Sequence, residues 1–178
     1  VLGASALAFL WSTNWGLALG GSANGERMRR IKGSPQWDED KELFVNSVET
    51  SVMSAEKTLQ VSQAWLSKPS DSVPQRKLPV TRPDWSETPR SGLRLTWLGH
   101  SSYLFEIDGA RVLVDPVFSA RASPSTLVGP ERFHPLPVSP SELPRIDAVV
   151  ISHDHYDHLD MRAVRQLTLL TDAPFLVP

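Results

Sequence analysis

Asp147-Ala148-Val149-Val150-Ile151-Ser152-His153-Asp154-His155-Tyr156-Asp157-His158-Leu159-Asp160 is the stretch that decides how this chain folds. Its first half is short, apolar and β-branched, the pattern of a buried strand. Leu159 to Leu167 reads as a helix with Asp160 at its N-cap. Between them, three of the five histidines and two carboxylates fall within six residues, His153 to His158. The cluster thus sits at the carboxyl end of a strand, in the loop that opens a helix. Open α/β sheets place their ligand sites there.

Imidazole nitrogens and carboxylate oxygens are zinc donors, and a catalytic zinc keeps one position open for water. His153 and His155 are one residue apart. In extended backbone both rings point the same way and can reach one ion. Asp157 and His158 face elsewhere and suit a second ion. Two metals about 3.5–4 Å apart can share a hydroxide and clamp the attacking and leaving oxygens of a displacement. Water bound in this way acidifies to a pKa of roughly 7. A polar surface loop does not account for this density of donors behind a buried strand. Asp154 and Tyr156 alternate with the donors and are expected to point away from the ions.

Upstream of the cluster, strand signals begin at Leu93. Leu93 to Leu98 alternates as a half-buried strand does. Ser102 to Ile107, the turn dipeptide Asp108-Gly109 and Arg111 to Asp115 predict a hairpin. Asp115 ends that hairpin, either as a partner for a metal-bound histidine or as a cap on the Pro116 turn. Pro116 to Pro144 is a long loop of the kind that covers a site. His134 within it is expected to be a loop contact. His100 either borders the pocket or is a loop histidine with a backbone partner. A serine hydrolase built on Gly99-His100-Ser101-Ser102 is disfavoured. Tyr103 stands where a nucleophile elbow needs glycine, and a strand comes next instead of a helix.

Farther out, Pro69, Pro74, Pro79, Pro83 and Pro89 fall within 21 residues, which excludes helix and central strand and predicts an extended strap. Ser47 to Leu66 has helical spacing and is expected to pack. Val1 to Gly25 contains no charged residue. It is a signal-anchor helix, the apolar part of a secretory signal, or a helix packed on the domain. Arg27, Arg29, Arg30 and Lys32 come directly after it; if the segment spans, they favour a cytoplasmic location for the rest of the chain. Three domains are expected: a hydrophobic signal or anchor over 1–25, an extension with one helix and a Pro-rich linker over 26–90, and a catalytic half-domain over 91–178. Eighteen basic and twenty acidic residues give a net charge of −2, which argues against a nucleic-acid partner. With no cysteine, a zinc site must use histidine and carboxylate. Val1 in place of methionine, and a strand-like start at Ala173 to Pro178, lead us to expect a fragment of a longer protein.

His153 to His158 has the H-x-H-x-D-H form of metallo-β-lactamase-fold hydrolases. Trp97-Leu98-Gly99-His100-Ser101-Ser102, Asp115 to Pro124, Gly129-Pro130-Glu131-Arg132-Phe133 and Glu142 to Ser152 narrow the resemblance. From about Leu78 to Leu167 the chain resembles the N-acylphosphatidylethanolamine-hydrolysing phospholipase D family and its bacterial relatives; Gly25 to Asn46 resembles their lead-in more weakly. The resemblance implies an α/β fold, the αββα sandwich, with only its N-terminal half here. It implies two zinc ions and hydrolysis of a small-molecule or lipid phosphodiester by a metal-bridged hydroxide. His153 and His155 would hold the first zinc, Asp157 and His158 the second, and Asp157 would also orient the hydroxide. The family needs a further histidine, a bridging aspartate and a final histidine. No histidine comes after His158, and Asp160 and Asp172 are too near the cluster in sequence to bridge. Half a site is therefore expected, inactive by itself.

Two other functions compete. A lactonase or another ester or amide hydrolase would use the same cluster, because a bridging hydroxide attacks phosphorus and carbonyl carbon alike. A non-catalytic envelope protein would keep the metal for structure. The apolar start suggests a membrane or cell-envelope location, with the cytoplasm as the alternative.

Overall fold

The structure, a computed structural model, describes residues 22–48, 54–67, 69–87 and 89–178. The described residues form two compact units, 22–73 and 74–178. The apolar segment of 1–25 lies outside the described residues except for its last four positions. Among the described residues no helix is long and apolar enough to cross a membrane.

The first unit holds two helices where one was expected. α1, Gly25–Lys32, forms from the basic run because Glu26 lies one turn before Arg29 and Arg30, which it meets at 2.5 and 3.5 Å. Acid first and base last also suits the helix dipole. After α1 comes a two-stranded ribbon, β1 (Trp37–Asp38) and β2 (Leu43–Phe44), with the Trp37 and Phe44 rings edge to face at 5.4 Å. α2 runs over Ala55–Leu66 and so starts later than the spacing from Ser47 suggested. Ser54 has extended backbone and its side chain accepts the Lys57 N–H, which makes it the N-cap. Leu59 and Val61 of α2 are exposed, so the packing expected of them is absent.

The second unit is a five-stranded mixed sheet in the order β3-β4-β5-β6-β7. β3 (Leu93–Gly99), β4 (Ser102–Ile107) and β5 (Ala110–Val114) are antiparallel, and the predicted hairpin turns at Asp108-Gly109. β6 (Ala148–Val150) and β7 (Phe175–Leu176) are parallel to β5. Between β6 and β7 comes α3, Met161–Leu170. Leu98, Leu104, Leu113, Val149 and Ile151 are buried on one sheet face, and α3 covers them with Leu167. Each such side chain contributes about 1.5–3 kcal/mol through burial. One sheet with its helix layer is the half of an αββα sandwich that the sequence implied.

Alternation in β3 works against its first impression. Arg94 and Thr96 face the covered side, whereas Leu93, Leu95 and Trp97 are exposed. They share the opposite face with their register partners Ile107, Phe105 and Tyr103, and with Val112 and Val114 of β5. That face is apolar across the sheet.

Arg94 turns inward because it has an anion to meet. Glu106 is fully buried, and its carboxylate accepts from Arg94 Nη2 at 2.8 Å and Arg111 Nε at 3.0 Å. The two arginines then donate outward to the carbonyls of Glu87 and Trp85. The Pro-rich strap is therefore fastened to the sheet, and Trp85 packs on the core. This is why the stretch from Pro74 belongs with the sheet and not with the extension expected to run to residue 90.

A second latch is exposed. Glu142 closes a capping box on Ser139 and meets Arg82 of the strap at 2.5 Å. The Ser139 side chain, its N–H and the Arg82 guanidinium draw the Glu142 carboxyl down to about 2. A depressed pKa means that this stabilisation is complete above the ordinary value of 4.5 and is lost as pH falls from there through about 2. A carboxyl-carbon NMR titration should place the Glu142 midpoint near 2 and move it upward in Arg82→Ala. A midpoint near 4.5 would show the latch open in solution.

Candidate metal centre

β3 ends, β4 begins, and β5 and β6 both end at one edge of the sheet. Parallel pairing sets Val114 opposite Val150, so Asp115 and Ser152 emerge side by side. Asp115 is buried and has a positive φ of 44°, a strained conformation for a non-glycine residue. Its Oδ1 accepts the Ser152 N–H at 2.7 Å, and its Oδ2 accepts the Ser152 hydroxyl at 2.7 Å. The same Oδ2 lies 2.8 Å from His158 Nδ1. Burial pushes the Asp115 carboxyl up. The bonds from His158 and Ser152 outweigh it and hold the group below 3.8. An ionised Asp115 fixes the His158 tautomer: Nδ1 carries the proton and Nε2 keeps its lone pair.

Ser152 extends the same logic. Its hydroxyl proton goes to Asp115, so its oxygen accepts from His153 Nδ1 at 2.9 Å. That leaves His153 Nε2 free as well. The imidazoles then form one row with His153 in the middle, its ring tilted against that of His158 at 4.0 Å and edge to face with that of His155 at 4.7 Å. The members of each expected pair lie close, His153 to His155 as rings and His158 Nε2 to Asp157 Oδ2 at 3.9 Å, and the His153–His158 contact joins the two pairs. The chain turns over 155–159, closed by the N–H groups of His158 and Leu159 on the His155 carbonyl, so alternation carries no further than His155. Asp154 is exposed, and Tyr156 is half-buried with its hydroxyl covered.

Asp157 reaches the row from the solvent side. Its Oδ2 is 3.3 Å from His100 Nε2 and 3.9 Å from His158 Nε2. Burial raises its pKa, but the His100 bond, its own backbone N–H and nearby His158 outweigh that, so the carboxyl is held below 3.8. His100 also lines a cleft of ≈ 330 Å³ with Trp97, Val117, Arg132, Phe133 and His134. His134 bonds the Pro135 carbonyl through Nδ1 at 2.8 Å and stacks near Trp97, as a loop contact does.

Among the described residues, no three histidine, aspartate or glutamate side chains already converge as a finished metal cage. The donor chemistry fits a metal nonetheless. Two imidazoles present free Nε2 atoms, and each is oriented through Nδ1 by an acceptor behind it. Metal-ligating histidines are typically held in this way.

Asp160 has a role beyond the predicted cap. Oδ1 caps α3 through the N–H groups of Arg162 and Ala163, at 3.0 and 3.3 Å. Oδ2 takes the N–H groups of Phe118 and Ser119, at 3.1 and 2.8 Å. One buried carboxylate thus ties the loop after Asp115 to the helix after the cluster. Asp160→Ala should cost about 2–3 kcal/mol, the loss of a cap plus two stranded donors. Urea unfolding measures it, and a change below about 0.5 kcal/mol, the usual size for a surface substitution, would refute the double role.

Ser152, Ser101 and the second half of Asp160 were not foreseen. Only the parallel pairing of β5 with β6, invisible in composition, would have pointed to Ser152.

Known proteins match parts of this chain. Residues 110–178 match the model of the beta-lactamase superfamily domain. An uncharacterized protein of Mycobacterium tuberculosis is 54% identical over 109 residues, covering 61% of this chain and 29% of that protein. An N-acyl-phosphatidylethanolamine-hydrolyzing phospholipase D of Caenorhabditis elegans is 48% identical over 80 residues, 45% of this chain and 22% of that one. A metal-dependent hydrolase of Aeropyrum pernix is 39% identical over 66 residues, 37% and 22% of the two chains. The matched region spans less than a third of each of these relatives.

Proposed function

Because residues 110–178 match the beta-lactamase superfamily domain and the second unit forms one sheet with its helix layer, we propose that the protein is a zinc-dependent phosphodiesterase of the N-acylphosphatidylethanolamine phospholipase D type. The observation that supports it most is the relay from Asp115 and Ser152 to His153 and His158, which frees two Nε2 atoms on one side of the turn. His153, His155, Asp157 and His158 would hold the metal. When bound, zinc acidifies water and polarises the phosphoryl oxygen. The protein's own groups do the rest. Asp115 and Ser152 keep both rings in one tautomer. Asp157, ionised at neutral pH, accepts a proton from the attacking water and orients it. The cleft beside His100 excludes water from the apolar part of a lipid substrate. Membrane attachment through residues 1–25 belongs to the same proposal, and fractionation with and without that segment tests it.

Purified intact protein, loaded with zinc, is assayed against an N-acylphosphatidylethanolamine, a generic phosphodiester and a lactone. Turnover of the first two, lost on chelation and restored by zinc, is expected. Turnover of the lactone alone would reassign the protein to carboxyl-ester hydrolysis, and no chelator sensitivity would remove the metal from the reaction.

A further inference from the structure

We infer that the turn Gly99-His100-Ser101 is a clamp whose purpose is to position Asp157, with Ser101 as a positioning residue. The inference rests on the metal-site reading above and adds residues to it.

The turn is built with visible strain. The β3–β4 register shifts between Trp97 and Gly99, a bulge of the kind that re-aims side chains beside active sites. Gly99 has a φ of 103°, and a Cβ there would lie 2.4 Å from Arg132 Nη1 and 2.7 Å from His134 Cε1. Glycine is therefore favoured by the conformation, and a Cβ would also have to displace the ends of the Arg132 and His134 side chains. His100 has a φ of 51°, unusual for a residue with a side chain. A two-residue hairpin between β3 and β4 accounts for the positive φ at His100 but does not need the bulge at Gly99.

The turn brings two groups onto Asp157. Ser101 Oγ donates to the Asp157 backbone carbonyl at 2.6 Å, across 56 residues of sequence. His100 Nε2 faces the Asp157 carboxylate at 3.3 Å. The turn is itself fixed, because Trp97 Nε1 donates to the His100 carbonyl at 2.9 Å. Main chain and side chain of Asp157 are thus held from one side by consecutive residues. His158 is held from the other side by Asp115. Without the clamp, the solvent-side half of the cluster would rest on its own exposed turn. Groups that orient a metal ligand from behind typically change metal affinity about 10–100-fold when removed.

The test uses the intact protein loaded with cobalt(II), whose visible spectrum reports ligand geometry. Affinity is read by chelator competition, and stability by melting of the metal-free protein. Ser101→Ala and His100→Ala are each expected to weaken cobalt binding about 10–100-fold and to alter the spectrum, with the metal-free melting temperature unchanged. Ser101→Thr, which keeps the hydroxyl, should restore both. Wild-type affinity and spectrum in both alanine variants overturn the clamp and leave the metal site standing. Weakened binding that tracks a drop in metal-free melting, unrescued by Ser101→Thr, also overturns it, because the turn is then only structural. A wild-type protein that binds no cobalt overturns the reading of the site itself, and the clamp with it.

Discussion

Asp157→Ala in the intact protein is expected to lower phosphodiester turnover by roughly 10²–10⁴-fold, the range for loss of a positioned proton acceptor. The Asp157 side chain is 43% exposed. Its loss should therefore barely move the melting temperature of the metal-free protein. The asymmetry between a large kinetic effect and a small stability effect is what separates a functional carboxylate from a structural one. Asp157→Asn sharpens the result. It keeps the shape and the backbone bond to Ser101 but removes the charge that His100 and His158 face. If the asparagine variant is as slow as the alanine variant, the charge is what matters. Turnover within a factor of about three of wild type, well short of the 10²-fold floor, would place the acceptor elsewhere.

Glu106→Ala should destabilise the sheet domain by about 3–5 kcal/mol, the usual consequence of removing one partner from a buried ion pair. Glu106 is fully covered, whereas Arg94 keeps 37% of its side chain in solvent and Arg111 keeps 14%. Alanine would strand Arg111 in particular and release the carbonyls of Trp85 and Glu87 from their donors. The strap should then become sensitive to proteases ahead of the sheet. Glu106→Gln keeps one acceptor and should cost less. Urea unfolding measures both, and a loss below about 1 kcal/mol for alanine would mean that water already reaches the pair. The pH dependence has a definite sign. The Arg94 bond, helped by Arg111 against burial, holds the Glu106 carboxyl below 4.5. Its stabilisation is thus fully present above pH 4.5 and fades as pH falls through the lowered value.

Local signals carried the sequence reading far where one residue type had one consistent use. Asp108-Gly109 turned as a hairpin turn must, and Asp160 capped α3. The β-branched run formed β6 against β5. The density of His153 to His158 pointed to the candidate site through its donor types alone. What the sequence hid depends on partners distant along the chain. Ser101 meets Asp157 from 56 positions away, and Arg94 faces inward only because Glu106 waits there. Alternation in β3 carries no label for which face is covered. The contact of the His153 and His158 rings, which joins the two pairs into one row, accompanies a turn that closes on the His155 carbonyl, and side-chain spacing does not report that closure.

The sheet order has a consequence in time. β3, β4 and β5 pair through short local turns, so their ladders can close early. β6 joins β5 only after the chain has travelled through residues 115–147, and β7 only after α3. Contacts at such separation are late events in folding. The junction of Asp115 with Ser152 and His158 belongs to that late step. A refolding chain should thus acquire its hairpins first and its competence for metal last, so that the onset of binding marks the moment at which the β5–β6 pairing is complete.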